Sequence, residues 1–260
     1  MLPETERIAQ AAAALLEARR SGVRLASLPA PLVPQSEAEA YAMQRAQFSA
    51  LGLEVGAWKS TMLDASTGTF AAIGTRSLLR SPAQLPAASA PSAGSSAFGI
   101  EPEIAFRMAR TVSTLPAEPD KRRAAVIDAI GSAHAAIEIV VSRFVDSDAV
   151  TPLERLADHI LNEALVVGAP CNDWRQLAIR QLPLQVAVDG ISVYSGRGGH
   201  PLNDPLLPVV WLAGALIERG VGLEAGEIVT TGSCNGLRIV AAGQSVSVDF
   251  GPLGSAQVQF

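Results

Sequence analysis

The chain has 260 residues, of which 48% are hydrophobic and 5% aromatic, and its formal net charge at pH 7 is −5. This length fits one large domain, or a main domain with a small helical appendage, and the apolar content is enough for a sizeable core. The acidic balance argues against a nucleic-acid partner, whose binding surface needs clustered lysine and arginine side chains.

Cysteine usage and hydropathy indicate the compartment. Cys171 and Cys234 lie far apart and belong to no Cys-x-x-Cys or Cys/His cluster, so we expect free thiols in a reducing environment. The acidic N-terminus lacks the basic and apolar regions of a secretory signal. The apolar run at residues 206–217 is too short for a bilayer and contains proline and glycine. The sequence therefore predicts a soluble cytoplasmic protein without a membrane partner.

Two helices are predicted at the N-terminus. Apolar residues recur at helical spacing between residues 5 and 21. A second helix begins after a capping box of Ser36 and Glu39 and ends at Gly52. We therefore divide the chain into a helical N-terminal cap, residues 1–52, and a β-rich catalytic domain, residues 53–260.

The segment after the cap is predicted only in part. Residues 53–59 read as a strand that ends at Lys59, whereas residues 60–79 carry no clear pattern. Residues 81–96 are rich in proline, alanine and serine with no charged side chain, which is typical of a long loop. Long loops inside a compact chain are often functional or mobile.

Glu101 and Glu103 lie in an apolar run, residues 99–106, that we predict to be a strand. Because alternate residues of a strand share a face, the two carboxylates should converge. Carboxylates this close repel each other unless a cation or a shared proton relieves them, and oxygen ligands suit Mg²⁺, Mn²⁺ or Ca²⁺. An exposed strand face with two solvated glutamates is the alternative. Pro102 has no N–H, which predicts an edge strand or an irregularity.

The next segment supplies a third carboxylate. We predict a helix over residues 120–136, with an apolar stripe on which His134 is a core or interface residue rather than a ligand. Residues 137–141 follow as a β-branched strand that contains Glu138. A carboxylate in a buried strand needs a partner, so Glu138 is the natural third member of the Glu101/Glu103 site.

Capping and turn residues define the C-terminal half. Thr151, Pro152 and Glu154 begin a helix, and Asp158 and His159 lie beside its apolar side, as solvated surface or as site residues. Asp189-Gly190 predicts a hairpin between residues 182–188 and 191–195. The glycine-rich segment 195–201 fits neither a P-loop nor a dinucleotide fingerprint. We then predict a helix over residues 204–219 and strands at residues 227–233, 237–240, 245–250 and 256–260. The fold class is α+β.

Several of these segments, in order along the chain, resemble motifs of the 2-keto-4-pentenoate hydratase family within the fumarylacetoacetate hydrolase superfamily. The run Glu101-Pro-Glu103-Ile-Ala-Phe resembles the family's E-x-E-I-A-F, and Glu138-Ile-Val-Val-Ser-Arg143 is similar to its E-I-V-D-S-R. Further matches are Ala157-Asp158 with Val166-Val-Gly168, Pro201-Leu-Asn203 with Val210-Trp-Leu-Ala213, residues 223–233, Ala242-Gly243, and Phe250-Gly-Pro-Leu-Gly254-Ser255. The order holds from about Val55 to Phe260.

The resemblance implies a fumarylacetoacetate-hydrolase-like mixed β-roll core with flanking helices and a small helical N-terminal part. It implies one divalent cation, Mg²⁺ with Mn²⁺ as the alternative, held by Glu101, Glu103 and Glu138. The substrate is a small 2-oxo acid or 2-hydroxydienoate, and the expected assembly is a homo-oligomer, or a hetero-complex with a paired hydratase or decarboxylase.

The resemblance also assigns roles to further residues. Lys59 stands where the family has its active-site lysine, and with Asp158 and Ser233 it forms the predicted catalytic set. Thr231 and His159 are the predicted substrate contacts. The implied reaction is hydration of a 2-hydroxy-2,4-dienoate in aromatic-compound catabolism. Its proton transfers need a lysine of lowered pKa, a carboxylate or a positioned water.

Three departures from the family pattern keep other reactions open. The family's P-D-F-G aspartate has no counterpart in residues 68–74, Val141 replaces the aspartate of E-I-V-D-S-R, and His159 replaces the asparagine of A-D-N. A decarboxylase of a related 2-oxo dioic acid, a C–C bond hydrolase of the same superfamily and a non-catalytic homologue are therefore the alternatives. The three glutamates are intact, which favours a metal-dependent enzyme.

Overall fold

Two helices and then mostly strands follow one another along the chain in the computed structural model, which describes residues 2–85 and 97–260. The helices are α1 (Glu4–Ser21), α2 (Glu37–Leu51), α3 (Pro119–Ala129), α4 (Pro152–Ala157) and α5 (Leu207–Glu218). The first strands are β1 (Val55–Met62), β2 (Gly68–Gly74), β3 (Leu78–Arg80), β4 (Ala83–Gln84), β5 (Ala97–Met108), β6 (Ile130–Val140) and β7 (Asn162–Val167). The later strands are β8 (Pro183–Val188), β9 (Ile191–Arg197), β10 (Ile228–Ser233), β11 (Arg238–Ala241), β12 (Ser245–Asp249) and β13 (Ser255–Gln259).

The described strands form two sheets. The larger has the order β2-β1-β10-β5-β6-β7-β3, with β11 also paired to β5, and the smaller has the order β4-β13-β12-β8-β9. Parallel pairs (β1/β10, β3/β7, β4/β13) occur among antiparallel ones, and β12 and β13 contact β6 and β7 to enclose the core. Over the described residues neither sheet closes into a barrel. The predicted α+β class, with a mixed β-roll core and flanking helices, is confirmed.

The N-terminal helices are tied to the rest of the chain by side-chain amides. The Ser36 hydroxyl caps α2, as predicted, and Gly52 ends it in the left-handed conformation. From α2, Gln44 Nε2 donates to the carbonyl of Leu156 at 2.6 Å, and Gln47 Nε2 donates to the carbonyl of Ala157 at 2.9 Å. These bonds satisfy carbonyls at the C-terminal end of α4, which has no later helical turn to do so. The boundary at residues 52 and 53 stays a prediction.

The helix predicted over residues 120–136 is wrong in its second half. It ends at Ala129, and β6 begins at Ile130. Ala133 and His134 pair with Phe106 and Ala105 of β5, so tertiary pairing overrides the helix propensity of the alanines. The apolar stripe at helical spacing is therefore a coincidence of composition. His134 is a core residue, as predicted: its Nδ1 lies 2.9 Å from the Gly168 carbonyl oxygen and its Nε2 lies 2.9 Å from Ser132 Oγ.

Pro102 does not lie in an edge strand, because β5 pairs with β6 on one side and with β10 and β11 on the other. The irregularity that Pro102 predicts is present: the β10 register shifts between Thr230 and Ser233, opposite this part of β5. The Pro102 carbonyl accepts a hydrogen bond from Cys234 N at 2.8 Å. The side of Pro102 without an N–H therefore faces the gap between β10 and β11, where no ladder bond is lost.

The remaining predictions are confirmed in some segments and incomplete in others. The Thr151–Glu154 capping box and the β8/β9 hairpin are confirmed, and the four C-terminal strands lie within a residue or two of their predicted bounds. The pattern missed β2, β3 and β7. The predicted loop 81–96 contains the short strand β4, and its residues 86–96 lie outside the described part. None of the helices in residues 2–85 and 97–260 combines the length and apolarity that crossing a bilayer requires.

Candidate metal centre and active site

The strand register brings the three predicted glutamates together. Glu101 of β5 lies directly opposite Glu138 of β6, and Glu103 lies two residues along β5 on the same face. One carboxylate oxygen from each lies within 4.8 Å of the others. Glu103 and Glu138 are fully buried, and Glu101 is partly exposed. The alternative of an exposed face with two solvated glutamates is therefore wrong.

Glu103 is held by the β10 segment that contains the register shift. Its Oε2 accepts a hydrogen bond from Thr230 Oγ1 and another from the Gly232 N–H at 2.9 Å. Burial raises the pKa of Glu103 well above its usual range, and the carboxylates of Glu138 and Glu101 raise it further. Burial and Glu138 also raise the pKa of Glu101, although Lys59 opposes the shift. Carboxylates in this situation are stabilised in their charged form by a cation.

Glu138, like Glu103, has one carboxylate oxygen that is hydrogen-bonded and one that is not. Its Oε1 accepts from Lys59 Nζ at 2.9 Å and from Asn162 Nδ2 at 2.8 Å. Its Oε2, like Glu103 Oε1, is buried and has no hydrogen-bond partner among the described residues. Buried oxygens without partners are costly, and an all-oxygen carboxylate set suits a hard divalent cation. The side chains present therefore fit Mg²⁺ or Mn²⁺.

Lys59, near the middle of β1, points its ammonium group into the glutamate cluster. Besides Glu138, its Nζ lies 3.8 Å from Glu101 Oε2 and donates to the Ile160 carbonyl at 3.2 Å. Burial alone would lower the pKa of Lys59, but Glu138, Glu101 and Glu103 raise it, and the net shift is upward. This is the opposite of the lowered pKa considered for an acid–base lysine. Its ammonium is therefore a hydrogen-bond donor and a fixed positive charge.

The Ile160 carbonyl reaches Lys59 because of an unusual backbone turn. The helix that begins after Thr151 ends at Ala157, short of the position predicted for His159, and His159, Ile160 and Leu161 then adopt positive φ angles of 52°, 52° and 64°. A left-handed residue other than glycine costs on the order of 1–2 kcal/mol, so three in succession persist only where surrounding contacts hold them. The turn aims a main-chain acceptor at the site, which side-chain patterns do not reveal.

A buried ionic network holds this turn. Asp158 forms an ion pair with Arg143 Nε, and Arg143 Nη1 lies 2.9 Å from Glu163 Oε2. Arg19 of α1 joins the network, with Nη1 2.7 Å from Glu163 Oε2. Arg19 Nη2 and Arg143 Nη2 also donate to the Asn162 carbonyl, at 2.8 and 3.2 Å. Because the Asn162 side chain bonds Glu138, the network fixes one of the three glutamates.

The predicted catalytic and binding residues do not all line one cavity. Lys59, Thr231 and Ser233 line a cavity of about 500 Å³ together with Glu101 and Glu103. The Thr231 hydroxyl donates to the Ile104 carbonyl at 2.8 Å, and the Ser233 hydroxyl donates to the Gly236 carbonyl at 2.9 Å. Asp158 lines neither this cavity nor the second one of about 760 Å³ between α1, α2 and β2. His159 lines the second cavity, where its Nδ1 lies 3.3 Å from the Ala72 carbonyl oxygen.

His200 lines the glutamate cavity but was not a predicted site residue. Its Nε2 lies 2.8 Å from the Thr231 carbonyl oxygen, and its Nδ1 accepts from the Leu202 N–H at 3.3 Å. An Nδ1 that accepts leaves the ring proton on Nε2, which defines a neutral imidazole. Burial lowers the pKa of His200, in agreement with that state. Its only sequence signal is a position in the glycine-rich segment.

Comparison with known proteins identifies relatives of the chain. Residues 64–260 match the family described as fumarylacetoacetate (FAA) hydrolase C-terminal. A 2-keto-4-pentenoate hydratase of Burkholderia vietnamiensis is 30% identical over 162 residues, 62% of this chain and 60% of the relative. The TodF product hydratase of Pseudomonas putida is 32% identical over 164 residues, 62% of this chain and 58% of the relative. The match thus spans about 60% of the length of these curated relatives.

Solved structures share the fold. The 4-oxalocrotonate decarboxylase of Pseudomonas putida G7, complexed with magnesium and adipate, superposes with a TM-score of 0.85 at 21% identity, over 100% of this chain and 99% of that one. A fumarylpyruvate hydrolase of Pseudomonas aeruginosa, in complex with Mn²⁺ and pyruvate, superposes with a TM-score of 0.55 at 13% identity, over 78% of this chain and 88% of that one.

Proposed function

Because the chain belongs to the fumarylacetoacetate (FAA) hydrolase C-terminal family, we propose that it is a divalent-metal-dependent hydratase in aromatic-compound catabolism. Its substrates are 2-hydroxy-2,4-dienoates of the 2-keto-4-pentenoate type. The hydratase relatives support the choice of reaction. The observation that carries the proposal is the buried Glu101/Glu103/Glu138 cluster, in which two carboxylate oxygens have no partner among the described residues.

The three glutamates would hold Mg²⁺, or Mn²⁺ in its place. When bound, the cation supplies positive charge that polarises the carbonyl of a 2-oxo acid and makes its enol form accessible near neutral pH. The chain keeps the ligand oxygens in position: Thr230 and the Gly232 N–H fix one oxygen of Glu103, and Asn162 and Lys59 fix one oxygen of Glu138. Such supporting bonds orient ligands and leave their other oxygens free.

Lys59 and the β10 turn act on the substrate itself. Hydration of a 2-hydroxy-2,4-dienoate needs proton transfer at carbons 5 and 3, with addition of water to the conjugated alkene between these steps. The Lys59 ammonium lies on the cavity wall beside Glu101 and can donate a hydrogen bond to the substrate or bind its carboxylate. The Ser233 hydroxyl donates its proton to the Gly236 carbonyl. Its oxygen can therefore accept a hydrogen bond from the substrate or from the attacking water. Asp158 acts indirectly, because it holds Arg143 and the left-handed turn.

Decarboxylation of a related 2-oxo dioic acid is the second candidate. The full-length similarity to 4-oxalocrotonate decarboxylase, with a TM-score of 0.85, favours it. The same polarised 2-oxo acid would lose CO₂ instead of gaining water. The two reactions differ in their products, so one assay separates them.

The test is loss of dienol absorbance with purified protein, with Mg²⁺ and with a chelator. We expect turnover only with the metal, and product mass increased by one water. Glu103→Gln should lower kcat/KM at least a hundredfold, since it removes a charged ligand, while the exposed control Glu118→Gln stays at the wild-type value. CO₂ release from the dioic acid without hydration would support the decarboxylase instead. Equal turnover with the chelator, or by Glu103→Gln, would refute the metal-dependent reaction.

A further inference from the structure

The second cavity, of about 760 Å³ between α1, α2 and β2, has one positive charge without a counter-ion. The charged residues that line it are Glu17, Arg19, Arg20, Arg76 and Glu163. Arg20 Nη2 lies 2.8 Å from Glu17 Oε1, and Arg19 Nη1 lies 2.7 Å from Glu163 Oε2. Arg76 is exposed and forms no ion pair with any described residue. The cavity therefore favours a ligand that carries a negative charge.

The imidazole of His159 adds an unused acceptor to the same cavity. His159 is 6% exposed, and its Nδ1 lies 3.3 Å from the Ala72 carbonyl oxygen. Because a carbonyl only accepts, Nδ1 carries the ring proton and Nε2 is the acceptor of the neutral imidazole. Nε2 has no hydrogen-bond partner among the described residues. A ligand that brings a donor group gains a hydrogen bond at this position.

The surrounding charges indicate which donor fits. Burial, followed by the positive charges of Arg19 and Arg143, lowers the pKa of His159 to about 3. The same charges would repel an ammonium group beside the ring, whereas a neutral hydroxyl donates without that penalty. Arg76 lies four residues after Ala72, a stretch that spans at most about 14 Å, so one small molecule can contact both the arginine and the imidazole.

The rest of the wall fits an aliphatic chain between these two groups. Its apolar side chains include those of Leu16, Phe48, Leu51 and Leu53. Contact with them removes hydrocarbon surface from water, which adds to the affinity.

The turn that begins at His159 connects this cavity with the metal centre. His159 and Ile160 are left-handed, and Ile160 lines the glutamate cavity, where its carbonyl accepts from Lys59 Nζ at 3.2 Å. Asn162 lines the second cavity, and its Nδ2 donates to Glu138 Oε1 at 2.8 Å. A ligand that bonds His159 stabilises the strained turn, and with it the contacts that hold Lys59 and Glu138.

We propose that the second cavity binds an aliphatic hydroxy acid, with its carboxylate at Arg76 and its hydroxyl on His159 Nε2, and that this ligand tightens metal binding at the glutamate cluster. The coupling rests on the proposed metal centre, whereas binding of the acid does not. Linkage makes the coupling reciprocal, so the metal tightens binding of the acid by the same factor.

Titration of the metal-free protein with 6-hydroxyhexanoate tests the binding site alone. We expect it to bind at least about fivefold more tightly than hexanoate, which lacks the hydroxyl, and than 1,6-hexanediol, which lacks the carboxylate. Arg76→Met should weaken its binding at least about fivefold. Arg80→Met is the matched control, because Arg80 is also exposed, lies four residues along the chain and does not line the cavity. Equal binding of hexanoate, or equal losses in the two variants, would overturn the site.

Mn²⁺ affinity with and without 6-hydroxyhexanoate tests the coupling. At a concentration that saturates the wild type but not Arg76→Met, we expect Mn²⁺ to bind at least about threefold more tightly to the wild type and to Arg80→Met. No gain in the wild type, or an equal gain in Arg76→Met, would overturn the coupling, since the latter would place the acid at the metal itself. Absence of Mn²⁺ binding without the acid would overturn the proposed metal centre and the coupling with it, while the binding site is decided by the first titration.

Discussion

Single residues decide what the glutamate cluster can do. Glu103 and Glu138 each have one oxygen bonded to neighbours and one buried oxygen without a partner among the described residues. The sequence predicts the three glutamates because a lone carboxylate in an apolar strand needs a partner. It does not predict that Asn162, Thr230 and the Ile160 carbonyl support the cluster. A main-chain acceptor such as the Ile160 carbonyl has no sequence signal. Thr230 and Thr231 are adjacent in one motif, so the sequence does not show which of them contacts Glu103. Only the register shift decides which threonine reaches Glu103.

His159 gives a residue-scale prediction about pH. Burial, together with the positive charges of Arg19 and Arg143, lowers the pKa of His159 to about 3. The folded protein therefore keeps His159 neutral, whereas the unfolded chain binds a proton below about pH 6.5. The contribution of His159 to the free energy of unfolding is complete above pH 6.5 and is lost as the pH falls toward 3, by about 1.4 kcal/mol per pH unit.

His159→Asn removes this titration and keeps a residue type that tolerates the positive φ of 52°. Between pH 7 and pH 5, urea unfolding should show the wild type losing about 2 kcal/mol more stability than the variant. Equal losses would mean that His159 becomes protonated without cost in the folded protein, contrary to its buried position.

At the scale of elements, the site depends on how strands and turns meet. Helix caps and the Asp-Gly hairpin are local signals: the structure confirms the full capping box at Thr151 and the hairpin at Asp189, whereas at Ser36 only the serine half of the predicted box forms. Local signals fail where strand pairing determines the secondary structure. The alanine-rich start of β6 has the sequence pattern of a helix. The strand β7 shows no alternation of polar and apolar residues, because all six of its residues are buried. The left-handed turn after α4 also depends on distant partners, Arg143 and Arg19.

The contact between α1 and this turn can be tested with two adjacent arginines. Arg19 joins the largely buried network with Glu163 and the Asn162 carbonyl, so Arg19→Met leaves a buried carboxylate with one partner fewer. We expect a loss of about 2 kcal/mol or more in the free energy of unfolding. Arg20 pairs with Glu17 on the exposed side of α1, so Arg20→Met should cost less than about 0.5 kcal/mol.

Chemical denaturation monitored by circular dichroism measures both variants. The metal affinity of Arg19→Met should also fall, since Asn162 holds Glu138. Similar stabilities for the two variants would show that the N-terminal helices do not support the metal centre.

At the scale of the whole molecule, the fold agrees with the family match, whereas the hydratase reaction is proposed. The β-roll core and the family match were both predicted from motif order along the chain, whereas the open order of the larger sheet was not. Motif order cannot show which substrates the cavity accepts. That selectivity depends on which side chains from distant segments share the cavity wall. The homo-oligomer and the hetero-complex stay predictions from resemblance.

The central claim is that Glu101, Glu103 and Glu138 bind one divalent cation. Mn²⁺ binding, followed by electron paramagnetic resonance at constant pH, tests it most directly because no substrate is needed. The account predicts one ion per chain, displaced by Mg²⁺, and at least about tenfold weaker binding by Glu138→Gln, with Glu118→Gln unchanged. Absence of stoichiometric binding, or equal affinity in Glu138→Gln, would contradict it.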